Sequence, residues 1–130
     1  MNILLFSGIF KTRMSSNLKL IDFNHLDSIV NGDESFKKEL IGIFLEQIPV
    51  FIHNMKKYLD NNKFEKLARE AHTAKSSALI FGMTNSGRLL KEIELLAESH
   101  KTTEILPALE EVEMELKQAK TELMNFLKEW

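Results

Sequence analysis

From Ile21 onward, apolar residues recur three and four positions apart, the rhythm of helices that turn one face to a shared core. Asp22 is placed to cap a short helix running through Val30, with Phe23, Leu26, Ile29 and Val30 at helical spacing. Asn31-Gly32 then supplies residues that tolerate a left-handed stop. Asp33 is an N-cap for a long second helix whose inner face reads Phe36, Leu40, Ile43, Phe44, Ile48, Phe51, Met55, Tyr58 and Leu59. Pro49 removes one hydrogen bond inside it, so a kink is expected near Glu46. After the turn Asp60-Asn61-Asn62, a third helix spans Lys63 to about Phe81 with a small-sided inner face of Phe64, Leu67, Ala68, Ala71, Ala74 and Ala78, ended by Gly82.

A fourth helix, from about Thr84 to His100, turns Leu89, Leu90, Ile93, Leu96 and Ala97 inward, and Lys101-Thr102-Thr103 separates it from the last. Ile105, Leu109, Val112, Leu116, Ala119, Leu123, Phe126 and Trp130 then alternate steps of four and three, the seam of helices packed nearly antiparallel. The expected fold is all-α: an antiparallel up-and-down four-helix bundle with a short leading helix, over residues 21–130. Residues 1–20 form an N-terminal extension.

Composition narrows the classes. With 130 residues there is room for one domain of ordinary size, and two prolines with five glycines are too few for the frequent turns of a barrel or sandwich. A net charge of −2 offers no field for collecting nucleic acid, so no nucleic-acid partner is expected. Without cysteine, thiol catalysis and thiolate zinc sites are excluded. The apolar start Met1–Phe10 lacks a basic n-region and a cleavage site and is too short to span a bilayer, so it reads either as a strip packed on the domain or as untranslated sequence ahead of Met14. A cytoplasmic protein with no membrane association is expected.

Walker, G-x-G-x-x-G, G-x-S-x-G and H-E-x-x-H signatures are missing, and the four histidines show no Glu-x-x-His pairing of the di-iron kind, so no metal site is expected. His25, His53 and His100 have structural readings, His100 as a cation at a helix C-terminus. His72 differs in its neighbours. At 100° per residue it is turned off the inner face marked by Ala71, with Lys75 about 60° to one side and Ser76 about 40° to the other. Arg69 adds a second cation one turn back, and the stretch from Lys56 to Lys75 holds six basic side chains against three acidic. Such a patch suits an anion carried on the imidazole.

The run Ala71-His72-Thr73-Ala74-Lys75-Ser76-Ser77, with Gly82 ten residues after the histidine, resembles the H-x-x-K-G-S-S signature of histidine-containing phosphotransfer (HPt) domains. Asn31–Phe36, Phe44–Pro49 and Leu89–Glu94 also match comparable family segments, so the resemblance covers roughly Ile21 to Ser99. It implies a stoichiometric phosphocarrier, not a turnover enzyme, that moves a phosphoryl group between receiver-domain aspartates. His72 would be the phosphorylated nucleophile, Lys75 would screen the phosphate, and Glu94 would accept from Nδ1–H to orient the ring. Arg69, Ser76 and Leu79 would belong to the receiver docking surface. The partner is then the receiver domain of a response regulator or hybrid histidine kinase. No cofactor is expected on this chain, with Mg²⁺ held only by the receiver.

Two departures stand out: Ser76 replaces the family's Gly, and Leu79 replaces a residue that is usually small. Ser76 either obstructs docking or hydrogen-bonds the phosphate. The alternatives to a carrier are a bundle that docks an acidic partner without chemistry, and a self-associating bundle driven by the last helix. A monomer is the expectation.

Overall fold

The structure is a computed structural model and describes residues 19–130; the readings for the strip Met1–Phe10 and for Met14 fall outside the described residues. Among these residues five helices follow one another: α1 (Phe23–Val30), α2 (Glu34–Asp60), α3 (Phe64–Ile80), α4 (Thr84–Glu98) and α5 (Thr102–Lys128). The four long ones close a ring in which α2 packs on α3, α3 on α4, α4 on α5 and α5 back on α2. This is the up-and-down bundle expected from the apolar rhythm, with α1 laid against α2 and α3.

Local chemistry sets the helix ends. Asp22 and Asp33 cap α1 and α2 by accepting from the backbone N–H of His25 and Phe36. The turns between helices use left-handed residues: Asn31 at φ 53°, Gly32 at 82°, Asn62 at 56°, Gly82 at 72° and His100 at 59°. Gly82 is required twice over. Besides its positive φ, a Cβ there would collide with Asp22, whose N–H donates to the Phe81 carbonyl at 3.0 Å and ties the leading segment to the end of α3. The same segment is held on its other side by Glu122 of α5, which accepts from the N–H groups of Leu20 and Ile21.

The interior depends on α3 being thin. Ala71, Ala74 and Ala78 have no exposed surface, so the neighbouring helices approach closely and fill the space with Phe44, Ile48, Met55, Leu90, Ile93, Leu109 and Leu116. Phe44 stacks on Phe81 at 4.5 Å between ring centroids. Polar ties fix the rotation of α3 against α2: Ser77 donates to Gln47 at 3.1 Å, and Asn54 donates to Glu70 at 3.1 Å.

Some of the expected faces are corrected. On α2, Lys37 and Ile41 join the buried positions, whereas Phe36 and Ile43 are 42% and 45% exposed. Lys37 is buried with its ammonium 2.6 Å from Asp27, 5.0 Å from the Phe126 ring centre and 5.6 Å from that of Trp130, so charge pairing and ring faces offset its loss of water. Ile29 is exposed on α1. α2 runs as one helix from Glu34 to Asp60 through Pro49. α4 stops at Glu98, so His100 lies beyond the helix and stacks on Phe64 at 4.6 Å instead of sitting in the last turn. α5 stops at Lys128, so Trp130 lies exposed past its end, and Phe126 within the helix is half-buried against Phe23. None of the described helices is long and apolar enough to cross a membrane.

Candidate functional site

His72 lies in the middle of α3, on the side that meets α4. Ala71 before it is fully buried, and one step of about 100° carries the imidazole out of the core. Its side chain is 56% exposed. From α4, Glu94 reaches across the seam and places Oε1 3.3 Å from Nδ1 of His72. An ionised carboxylate can only accept, so the contact assigns the proton to Nδ1 and leaves the lone pair of the neutral ring on Nε2. No described residue bonds Nε2.

Glu94 is itself well placed to hold the ring still. Its side chain is only 15% exposed, and the Lys91 ammonium stands 3.9 Å from the same oxygen. The same Glu94 oxygen thus lies between the Lys91 ammonium of its own helix and the His72 ring. Backbone bonds stiffen the turn around the histidine: Thr73 donates to the Arg69 carbonyl at 3.1 Å, and Ser76 donates to the His72 carbonyl at 3.3 Å.

Lys75 and Arg69 lie on α3 on either side of His72, and among the described residues neither side chain has an ion pair or hydrogen bond. Their charge remains available to an anion on the ring. The wider basic stretch read from the sequence does not converge here. Lys56 pairs with Glu113 of α5 at 3.3 Å, on the opposite seam of the bundle. Lys66 sits 6.0 Å from the Tyr58 ring centre. The hydrogen bond from Lys117, aided by Lys56, holds the Glu113 carboxyl below the usual carboxylate range against the opposing effect of partial burial. Of that stretch Lys75 and Arg69 flank His72, and Lys91 of α4 stands nearby against Glu94, whereas Lys56 belongs to the α2–α5 side.

Ser76 is exposed beside His72 with its hydroxyl hydrogen spent on the helix backbone. Leu79 is 41% exposed and leans across the seam onto Gly87 of α4. Gly87 and the buried Ser86, which donates to Glu115, carried no signal in the sequence pattern, since neither is apolar. His53 borders the α2–α5 groove and His25 is exposed on α1, both away from this seam. No group of three or more His, Asp or Glu side chains among the described residues is arranged to hold a metal ion.

Comparisons with known proteins bear on the family and the fold. The Hpt domain family model matches residues 39–123, which include His72, Lys75 and Glu94. The phosphorelay intermediate protein YPD1 of Candida albicans is 31% identical over 78 residues, 58% of this chain and 42% of that protein, so the chain spans less than half the length of this relative. Among solved structures, the HPT domain from a sensor hybrid histidine kinase of Shewanella superposes with a TM-score of 0.76 at 16% identity, covering 85% of this chain and 96% of that one; this likeness speaks for the fold. With the family match running through four of the five helices and through the histidine at their exposed seam, the chain belongs to the Hpt domain family.

Proposed function

We propose that this chain is a phosphorelay carrier whose His72 takes a phosphoryl group from a receiver-domain aspartate and yields it to another. The observation that supports this most is the exposed imidazole held at Nδ1 by Glu94. In the forward step the Nε2 lone pair attacks phosphorus, the N–P bond forms, and the P–O bond to the aspartate breaks with its electron pair leaving on the carboxylate. Nδ1 keeps its proton throughout. The transfer needs alignment and charge stabilisation more than covalent help from the protein. In this reading Lys75 and Arg69 meet the phosphoryl oxygens, the docked receiver brings the Mg²⁺, and the chain acts in the cytoplasm as a monomer without a cofactor or a turnover site of its own.

Mixing the chain with a phosphorylated receiver domain tests this: phosphate stable to alkali and labile to acid should appear on the chain as it leaves the receiver. A chain that stays unlabelled while the receiver merely hydrolyses would refute the carrier. The same assay addresses Ser76. Since its hydroxyl proton already serves the His72 carbonyl, its main effect on a docking receiver is bulk. Ser76→Gly is expected to speed transfer while weakening the fold by up to about 1 kcal/mol, because a glycine inside a helix loses more backbone entropy on folding. Slower transfer in Ser76→Gly would show instead that the hydroxyl serves the phosphate.

A further inference from the structure

The contact between Leu79 and Gly87 extends the carrier reading to the choice of receiver. Leu79 is the one large apolar side chain of α3 left exposed, at 41%. It follows His72 by seven residues, about 10 Å along the axis and about 20° around it, so the two side chains sit on nearly the same line. A protein partner of ordinary size covers about 800 Å² on each side, equivalent to a disc about 16 Å in radius. A receiver centred on His72 therefore cannot avoid Leu79.

A leucine in that place would stand up as an obstacle unless α4 received it. Gly87 does so. A Cβ on Gly87 would fall 2.6 Å from Cδ2 and 3.2 Å from Cγ of Leu79, so the leucine occupies the volume that any other residue at 87 would fill. Lying on bare backbone, the side chain becomes a low apolar ledge bridging the α3–α4 seam two turns beyond the histidine. The bulk gained at position 79 is matched by the side chain missing at 87.

We propose that Leu79, seated on Gly87, is a specificity-determining residue that favours receivers presenting an uncharged, apolar surface opposite it. This rests on the carrier reading. A receiver with a charged side chain at that spot would have to desolvate it against the leucine without a partner and would be rejected, whereas an apolar one gains a buried contact. Gly87 touches no phosphate or receiver atom in this scheme and acts only through Leu79.

The test is a double-mutant cycle in the full chain, using a set of phosphorylated receiver domains from the same organism as donors. Each transfer rate is divided by the rate at which phosphoramidate, which needs no docking surface, labels the same variant. Leu79→Ala should lower normalised transfer from the preferred receivers by about tenfold and narrow the spread between receivers. Gly87→Ala keeps the helix, since alanine is the better helix former and Leu79 is free to swing into solvent, and should leave phosphoramidate labelling unchanged while lowering receiver transfer. In the Leu79→Ala background, Gly87→Ala should have no further effect. Normal labelling with wild-type transfer in Leu79→Ala, or independent effects of the two changes, would overturn the proposal. Wild-type protein that phosphoramidate fails to label at His72 would instead strike at the carrier reading and take this inference with it.

Discussion

His72→Gln is expected to abolish uptake of acid-labile phosphate altogether, from a receiver and from phosphoramidate alike. A carboxamide has no lone pair basic enough to attack phosphorus, and His25, His53 and His100 stand on other faces without the His72–Glu94 arrangement. The fold should not notice. With its side chain 56% exposed and the one described hydrogen bond of that side chain running to Glu94, His72 contributes little to the core, so stability should stay within about 0.5 kcal/mol of wild type. Urea unfolding monitored by far-ultraviolet circular dichroism beside a labelling assay reads both quantities. Residual labelling would place the reactive histidine elsewhere; a collapsed midpoint would make His72 structural.

The largest expected change in stability is at the opposite extreme of burial. Phe44→Ala should cost about 3–5 kcal/mol, because it empties a ring-sized volume from a core that cannot close over it. Phe44 is 1% exposed and stacked on Phe81, the residue that ends α3, and the alanines of α3 offer no long side chains to refill the space. An unfolding midpoint lowered by more than about 10 °C is the corresponding thermal result. Labelling of the fraction that remains folded should persist, since the His72–Glu94 pair lies across the α3–α4 seam and not in the α2–α3 interior. A loss smaller than about 1 kcal/mol would mean that the core relaxes around the missing ring.

What the sequence disclosed and what it hid divide along a physical line. Features set by a residue and its near neighbours were legible: the caps Asp22 and Asp33, the left-handed stops Asn31-Gly32 and Gly82, the thin alanine face of α3, and the outward turn of His72 next to Ala71. Glu94 was reached through family resemblance, and the structure puts it within hydrogen-bond distance of Nδ1. Features that need two distant segments were not legible. Lys37 looks like a surface cation until Phe126 and Asp27 are brought to it, and its burial shifts the inner stripe of α2 so that Phe36 and Ile43 end outside. Gly87 reads as a weak point in a helix until Leu79 is seen lying across it. The six basic residues between Lys56 and Lys75 look like one patch in a line of text, but helical rotation and the turn at Asn61-Asn62 distribute them over several faces.

The His72–Glu94 contact decides which ring nitrogen reacts. Phosphorylating the ¹⁵N-labelled chain with phosphoramidate and recording a long-range ¹H–¹⁵N correlation spectrum of the imidazole tests it directly. The geometry predicts phosphorus on Nε2 of His72, with Nδ1 still protonated against Glu94; phosphorus on Nδ1, or on another residue, would contradict it.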